Sequence, residues 1–385
     1  MDFELSDERR MLAETAERWL REQYPLKRRQ AAAAMPEGFD RAVWAELAEL
    51  GLVGALFPPE AGGFGGTGED LMVVFDAIGR GLVVEPFLAT GVLGAWPLVA
   101  AGEPAILEQA VEGKRLIAFA HTEPGGRYRP AHVATRAQGE GEVWRLTGEK
   151  AVVLNGDSAD LLVVSARVAA DTEDEHGIGL FLVDAGAEGL SRRSYGTVEG
   201  GRAAEVVLEG VRARPLGAPG EAFPVIEETL ARGAVALSAE AVALMDVCKE
   251  ATLDYLKTRT QFGRPIGAFQ VLQHRMVDLY LEVEQARSAL LLAAAMLGAP
   301  RVARERAVSA AKHLAGRVGR LVAEEAIQLH GGIAMTWEYD LPHYAKRLVM
   351  IDHLLGDTDH HARRFMGFGG LGAEVEGGAG GAATG

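Results

Sequence analysis

Two changes of hydrophobic period constrain the fold of this chain more than any other feature. Residues 1–115 and 223–368 carry apolar side chains at helical spacing, whereas residues 116–222 contain short runs of alternating or β-branched residues. Helical spacing places every third or fourth side chain on one face, and alternation is typical of strands. The sequence therefore predicts an α+β multidomain protein with an N-terminal helical domain, a central β-domain and a C-terminal helical bundle.

Local signals refine these three regions. Ser6 is a predicted N-cap for a first helix that ends before Pro25, and "FDRAVWAELAELG" predicts a second helix that ends at Gly51. The strands of the middle region follow one another without helices, which favours an antiparallel sandwich or barrel. The long Ala- and Leu-rich stretches after residue 223 predict antiparallel helices, and the Gly- and Ala-rich residues 369–385 predict a flexible tail.

Composition excludes several classes of partner. A net charge of -15 argues against nucleic acid and anionic membrane surfaces. The single cysteine, Cys248, excludes internal disulfides and thiolate metal clusters, which is typical of a cytoplasmic protein. The acidic N-terminus has no apolar signal-peptide core, and no apolar run is long enough to span a bilayer.

The segment "IDHLLGDTDHH", residues 351–361, concentrates possible metal ligands. On a helix, His353, Asp357 and His360 would share one face, which is a ligand geometry for zinc. Asp359 and His361 add two more candidate ligands. The segment alone therefore permits a metal site.

The stretch "RTQFGRPIGAFQVLQ", residues 259–273, lies at a predicted helix break. It combines Arg259, Gln261, Phe262 and Gln270 around glycine turns. An arginine, amide donors and an aromatic face can bind a pyrophosphate and stack on a planar ring. An ordinary helix-loop-helix corner is the alternative interpretation.

A second glycine-containing stretch ends the last long helix. "AIQLHGG" supplies Gln328, Gly331 and Gly332. Two glycines let backbone amides approach an anionic or polar ligand closely, and a plain helix C-cap is the alternative.

Together, the motifs make the chain similar to one family. "PPEAGGFGG", "HTEPGG", "KAVVLNGDSAD", "RTQFGRPIGAFQ" and "AIQLHGG" follow one another through the helical, β and helical regions. In this order and in these residues the chain resembles the acyl-CoA dehydrogenase family over residues 1–368. The resemblance implies that family's fold, an N-terminal helical domain, a central antiparallel β-domain and a C-terminal four-helix bundle, with FAD between the last two.

The resemblance also implies the cofactor contacts. His121, Thr122 and Glu123 match residues beside the isoalloxazine ring, whereas Val152 and Leu154 stand where the family often has a stacking Trp and a hydrogen-bonding Thr. Residues in the last two motifs match contacts to the FAD pyrophosphate and adenine, made in the family across a subunit interface. These residues are Arg259, Gln261, Phe262, Gln270, Gln328, Gly331 and Gly332.

The implied reaction is the α,β-dehydrogenation of an acyl-CoA thioester to the trans-2-enoyl-CoA. An electron-accepting flavoprotein or a similar acceptor, and a homotetramer or a heterotetramer with a homologous chain, follow from the same resemblance. A carboxylate takes the α-proton in this reaction, and preorganised donors stabilise the developing charge.

The family's usual glutamate base has no counterpart at its expected position, because counting from Gly332 places Leu355-Gly356 there. Arg232 matches a family active-site arginine, and its neighbours Glu228 and Glu240 are interpreted as solvated or capping carboxylates. Asp357 is the nearest acid and the candidate base. Metal binding at this segment is set aside, because the family's flavin-contacting loop runs here.

Three hypotheses follow. The chain is an FAD-dependent acyl-CoA dehydrogenase that uses Asp357, or the base-less partner subunit of a heteromeric dehydrogenase, or a non-catalytic scaffold. Some bacterial family members pair a base-bearing chain with a base-less one, and the ending "HYAKRLVMIDHLLGDTDHH" resembles chains of that group.

Overall fold

The N-terminal region is helical in the computed structural model, which describes residues 5–141 and 143–370. Ser6 caps the first helix by accepting a hydrogen bond from the Arg9 backbone N–H, as predicted. The helices are α1 (Asp7–Gln23), α2 (Leu26–Ala33), α3 (Arg41–Glu49), α4 (Gly68–Gly81), a π-helix (Phe87–Gly94), α5 (Trp96–Ala101) and α6 (Pro104–Val111).

The glycine-rich stretch before α4 forms a tight loop. A Cβ at Gly65 would lie 2.2 Å from the carbonyl oxygen of Ala55, so only glycine permits this close approach. Thr67 and Asp70 then form a capping box that starts α4. The loop thereby presents the Gly66 carbonyl toward the bundle.

The middle region is a barrel that is mostly antiparallel. Its strands are β1 (Ile117–Ala120), β2 (Arg136–Glu140), β3 (Val143–Leu154), β4 (Leu161–Arg167), β5 (Ile178–Asp184), β6 (Leu190–Gly196) and β7 (Arg202–Leu216). The pairings β4–β5, β5–β7, β7–β3, β3–β2 and β2–β4 close the ring. The sequence predicted antiparallel pairing, and two pairs, β1–β4 and β2–β4, are parallel.

The C-terminal region is a four-helix bundle. It contains α7 (Phe223–Thr258), the hairpin of β8 (Thr260–Gln261) and β9 (Arg264–Pro265), α8 (Gln270–Ala295), α9 (Arg301–His330), α10 (Leu341–Asp352) and α11 (Thr358–Gly367). The first three long helices pack against one another, and α10 with α11 completes the fourth side against α9.

Two hydrophobic cores hold the protein together. One fills the barrel, and the other runs without interruption from α1 through α4 and the π-helix into the bundle. The two helical regions share one core, so packing does not separate them into independent domains. The domain boundaries at residues 115 and 222 stay predictions. Of the predicted tail, residues 371–385 lie outside the described residues, and no described helix is long and apolar enough to cross a membrane.

Candidate active site

A cleft of about 280 Å³ lies between the barrel and the turn that joins α10 to α11. The barrel side is the loop from His121 to His132, and the bundle side contributes Leu230 and residues 353–355. A second cavity of about 260 Å³ lies where the N-terminal helices meet the barrel and the bundle. Both cavities contact Val152, Leu154, His353 and Leu354, so one wall separates them.

Two residues predicted to lie beside the flavin, His121 and Thr122, follow the end of β1 and differ in their exposure to the cleft. The Thr122 side chain is exposed there, whereas His121 is buried and its Nδ1 lies 2.9 Å from the Ser165 hydroxyl. Burial, reinforced by the nearby Lys150 ammonium, lowers the pKa of His121 to about 3. His121 is therefore a neutral histidine in the barrel wall.

Glu123 is the anchor of the loop that lines the cleft. Its carboxylate lies 2.6 Å from the buried Lys150 ammonium and accepts hydrogen bonds from the backbone N–H groups of Ala134 and Thr135. Burial acts to raise the pKa of Glu123, but these partners outweigh it and the pKa is lowered. Sequence reasoning missed Lys150, although a lysine inside an apolar strand is a signal for a buried ion pair.

The strand β3 is irregular where it faces the cleft. Its pairing with β7 shifts between Lys150 and Val153. Val152 adopts a left-handed backbone with φ 52° and its side chain is 47% exposed. A β-branched residue rarely adopts this conformation, and such strain is concentrated at functional sites. Val152 and Leu154, which stand where the family often has a stacking Trp and a hydrogen-bonding Thr, thus present aliphatic surface to the cleft.

Arg232 does not line either cavity. Its Nη1 donates to the Gly66 carbonyl at 2.8 Å, and its guanidinium lies 3.1 Å from the centre of the Trp96 ring. Its Nε also pairs with Glu228 at 3.4 Å. Burial lowers the pKa of Arg232 to about 10. The arginine joins α7 to the glycine loop and α5, and its predicted catalytic role stays a prediction.

Leu355 lies at the position where counting from Gly332 predicts the family's glutamate. Its backbone is left-handed, with φ 56°. A Cβ added to Gly233 would lie 2.5 Å from Leu355 Cδ1 and 2.7 Å from Leu93 Cδ2. The glycine on α7 therefore leaves room for two leucines, and the wall between the cavities is apolar at this point.

Asp357 is the N-cap of α11. Its Oδ1 accepts a hydrogen bond from the His360 backbone N–H at 2.7 Å. The residue is absent from the described lining of both cavities. Its candidate role as base stays a prediction, but the carboxylate already serves the helix terminus.

The interpretation of Glu240 as a solvated or capping carboxylate is wrong. Glu240 is 2% exposed and forms two hydrogen bonds with the Arg347 guanidinium, at 2.6 and 2.8 Å. The sequence could not indicate this pair, because its members lie on α7 and α10. Glu228, by contrast, is partly exposed beside Arg232.

Several of the possible metal ligands of residues 351–361 form other contacts. Asp352 accepts hydrogen bonds from the backbone and hydroxyl of Thr358, at 2.9 and 2.7 Å. His361 Nε2 lies 3.0 Å from the Leu355 carbonyl, and His353 is exposed. Within the described residues, no three His, Cys, Asp or Glu side chains are placed to hold a metal ion.

The residues matched to the far end of FAD lie together at one end of the bundle, outside the cleft. Stacking of Tyr255 on His330, with ring centres 4.5 Å apart, joins the C-terminal ends of α7 and α9. Phe262 is 91% exposed, and the guanidinium of the exposed Arg259 forms no hydrogen bond or ion pair with the described residues. The exposed members of this group are Arg259, Gln261, Phe262, Gln270, Gln328, Gly331 and Gly332.

The two groups of predicted FAD contacts differ in how well they fit the cofactor. The exposed residues at the end of the bundle, from Arg259 to Gly332, form the outer group. This group offers a free guanidinium, an exposed aromatic ring and glycine backbone, which suit a pyrophosphate and an adenine. The residues in the cleft offer the exposed Thr122 hydroxyl, the aliphatic side chains of Val152, Leu154 and Leu355, and a neutral buried histidine. The outer group fits FAD, whereas the cleft lacks the stacking Trp and the hydrogen-bonding Thr that the family often has at positions 152 and 154.

Comparison with protein families gives three consecutive matches. Residues 6–113 match "Acyl-CoA dehydrogenase, N-terminal domain", residues 118–211 match the "middle domain", and residues 220–365 match the "C-terminal domain".

Individual relatives match over nearly the whole chain. "Acyl-CoA dehydrogenase IpdE2" of Mycobacterium tuberculosis is 33% identical over 344 residues, which cover 89% of this chain and 91% of that protein. A solved variant of the "Tcur3481-Tcur3483 steroid ACAD" is 32% identical, with a TM-score of 0.84 and coverage of 94% of this chain and 97% of that one. The ChsE4-ChsE5 complex of Mycobacterium tuberculosis is 25% identical, with a TM-score of 0.85 and coverage of 95% and 98%.

Proposed function

The chain belongs to the acyl-CoA dehydrogenase family, and from this premise we propose that it is the base-less subunit of a heteromeric dehydrogenase. Members of the family carry out the FAD-dependent dehydrogenation of acyl-CoA thioesters. In the proposed complex a homologous chain supplies the carboxylate that takes the α-proton. This chain contributes to the binding of FAD from the other side of the subunit interface.

The use of Asp357 as a helix cap carries the proposal. A general base must lie within hydrogen-bond reach of the proton that it takes. The Asp357 carboxylate is instead bonded to the first turn of α11, and Leu355 fills the neighbouring space against Gly233. Releasing Asp357 from the cap would cost about 1 kcal/mol of stability.

Two carboxylates that line the cavities, one in each, are also committed. Glu123 is bound by Lys150, and Glu240 is bound by Arg347. Removing one partner of a buried pair typically costs about 3–5 kcal/mol, so neither acid is free to move to a substrate. These contacts support a role in which the base comes from another chain.

The exposed group at the end of the bundle supports the cofactor role. An arginine binds phosphate oxygens through a planar fork of donors, and glycine backbone lets amides approach a ligand. Arg259 and the pair Gly331-Gly332 are available for these contacts, since all three are exposed. Bound FAD supplies the hydride acceptor of the reaction.

Two of the similar solved structures are named for pairs of chains, Tcur3481-Tcur3483 and ChsE4-ChsE5. This similarity favours a heterotetramer with a homologous chain over a homotetramer. An acyl-CoA substrate, an electron-accepting flavoprotein and a cytoplasmic location belong to the same proposal.

Co-expression tests the proposed function. The chain is purified alone and together with a base-bearing homologue from the same organism, and both samples are assayed with a panel of acyl-CoA thioesters and an artificial electron acceptor. We expect turnover by the complex and none by the isolated chain. Turnover by the isolated chain at the rate of the complex would contradict the proposal.

Substitution of Arg259 tests the cofactor contact, and substitution of Arg264 is its matched control. Arg259→Ala in the complex should raise the Kd for FAD by about tenfold or more, because a charge-assisted hydrogen bond contributes about 1.5–3 kcal/mol. Arg264→Ala removes a neighbouring exposed arginine that stacks on Phe269, and should leave the Kd nearly unchanged.

A further inference from the structure

Going beyond the proposed function, we propose that the second cavity, where the N-terminal helices meet the barrel and the bundle, binds a small apolar molecule that carries one hydroxyl group. Thr197 and Glu199, in the turn between β6 and β7, recognise this hydroxyl. The apolar walls of the cavity bind the rest of the molecule.

Two buried oxygens at one end of this cavity lack hydrogen-bond partners. Glu199 is 8% exposed, and its Oε2 accepts no hydrogen bond from the described residues. The buried hydroxyl oxygen of Thr197 likewise has no partner in the described part of the chain. Both residues line the cavity. A buried polar group without a partner is unfavourable, so a donor that a ligand brings to Glu199 stabilises the bound state.

The absence of a side chain at Gly201 leaves space beside both residues. A Cβ built on Gly201 would lie 3.0 Å from the Thr197 hydroxyl oxygen and 3.8 Å from Glu199 Oε1. Gly201 also lines the cavity, and its backbone is not left-handed, so the turn itself does not require glycine here. Thr197, Glu199 and Gly201 form what we call the polar corner. A hydroxyl group suits this corner, because it accepts a hydrogen bond from Thr197 and donates another to the Glu199 carboxylate.

The charges around the polar corner favour a neutral ligand. Arg347 donates to Glu199 Oε1 at 3.3 Å and also binds Glu240. The guanidinium of Arg29 donates to the Glu199 carbonyl. These two guanidiniums balance the two carboxylates, so an ionised ligand would add an unpaired charge to a buried site. An alcohol binds without this penalty.

The rest of the cavity is largely apolar and is too large for one water molecule. Its volume is about 260 Å³, whereas one ordered water needs about 10–15 Å³. The N-terminal helices and α10 contribute apolar side chains to its walls, among them Phe75, Ile78, Leu82, Phe87, Leu88 and Met350. A ligand with an apolar body and one polar group fits such a lining. Cyclohexanol combines these two features in a compact molecule.

Isothermal titration calorimetry on the isolated full-length chain tests the proposal with two matched probes, cyclohexanol and cyclohexanone. The ketone keeps the ring but cannot donate to Glu199, so the chain should bind cyclohexanol at least about tenfold more tightly. Equal affinities for the two probes, or no measurable binding of the alcohol, would overturn the proposal. Neither outcome depends on turnover, so the proposed function is tested separately.

Two glycine variants test the position of the site. Gly201→Ala places a methyl group in the polar corner and should weaken cyclohexanol binding by about tenfold or more. Gly196→Ala is the matched control and should bind as the unmodified chain does. Gly196 lies in β6 of the same hairpin, its backbone is not left-handed, and a Cβ there would meet no described atom within 4 Å beyond its chain neighbours. Unchanged binding by a Gly201→Ala chain that is folded by circular dichroism would contradict the assignment.

Glu199→Gln tests the recognition of the hydroxyl donor. Arg347 should keep the amide oxygen at the position of Oε1, which puts the amide NH2 group in the place of Oε2. This group can donate to a ketone, so the preference for cyclohexanol over cyclohexanone should disappear. If the preference persists in this variant, Glu199 does not recognise the ligand and the proposal is wrong.

Discussion

Asp357 illustrates how one side chain can be interpreted in two chemically different ways. As a base it would need a free carboxylate, and as an N-cap it needs only a hydrogen-bond acceptor. Asparagine caps helices as well as aspartate does but cannot take a proton from a substrate. This difference separates the two roles experimentally.

We predict that Asp357→Asn leaves both the turnover of the complex and its free energy of unfolding unchanged. Asp357→Ala should lower the free energy of unfolding by about 1 kcal/mol, because the His360 N–H loses its acceptor. Steady-state assays and urea unfolding measure the two effects. A loss of about 10²- to 10⁴-fold in kcat for the asparagine variant would identify Asp357 as the base after all.

His121 should make stability depend on pH. Burial lowers its pKa to about 3 in the folded protein, against about 6.5 in the unfolded chain. Below pH 6.5 the unfolded state binds a proton that the folded state does not, so the free energy of unfolding falls as the pH falls. The expected loss approaches about 1.4 kcal/mol per pH unit between about pH 6 and pH 4.

Urea unfolding at several pH values, for the unmodified chain and for His121→Gln, measures this slope. The variant should show the shallower dependence. His176→Gln, which replaces an exposed histidine of the same barrel, is the control and should keep the original slope. Equal slopes for the unmodified chain and His121→Gln would refute the prediction.

At the scale of elements, the turn between α10 and α11 is held by contacts from α9 rather than by its own sequence. Lys312 supplies two hydrogen bonds to carbonyls of the turn, and His313 Nδ1 lies 3.0 Å from the Thr358 carbonyl. Gly316 permits this packing, since a Cβ there would lie 2.0 Å from Asp352 Oδ1. The turn is a rigid part of the cleft because of this shared support.

We therefore predict that Lys312→Met loosens the turn. The Gly356 carbonyl loses its Lys312 donor, whereas the Ile351 carbonyl keeps the hydrogen bond from the Leu354 N–H. An unsatisfied buried group costs about 1–3 kcal/mol. Hydrogen exchange followed by mass spectrometry should show faster exchange of backbone amides in residues 353–361. Exchange in the barrel should change little.

Lys346→Met is the matched control, since Lys346 lies on α10 and stacks on the exposed Trp337 ring. It should leave exchange in the turn unaltered. If Lys312→Met shows no more exchange there than the control does, the bonds from Lys312 do not hold the turn.

At the scale of the whole molecule, the outer face of α8 indicates a partner chain. Val277, Leu281 and Leu292 are 55%, 54% and 47% exposed. Their spacing places them in one stripe along the helix. Exposed large apolar side chains that share one helix face favour a protein interface. The stripe lies on the helix that begins at Gln270, close to the outer FAD contacts.

We predict that Leu281→Glu, made in the complex, shifts the assembly to smaller species in sedimentation velocity, because a charge would be buried at the interface. Val143→Glu changes an equally exposed residue on the barrel and should leave the assembly intact. Dissociation by both variants, or by neither, would argue against the α8 stripe as the interface.

Much of the fold was predictable because its signals are local. The change of hydrophobic period, the Ser6 cap and the loop glycines depend on neighbours within a few residues, and each is found as predicted. The order of the five motifs was sufficient to identify the family. The exposed hairpin with Arg259 and Phe262 is likewise built from adjacent residues.

The tertiary structure alone determined what the polar side chains of the site do. Glu240 meets Arg347 across 107 residues, Lys312 meets Gly356 across 44, and Tyr128 meets His353 across 225. A buried polar group needs a partner, but a sequence does not say which distant residue provides it. For this reason the sequence could place Leu355 at the position of the family's base and Asp357 as the nearest acid, while only the folded chain showed a leucine packed on Gly233 and an aspartate capping α11.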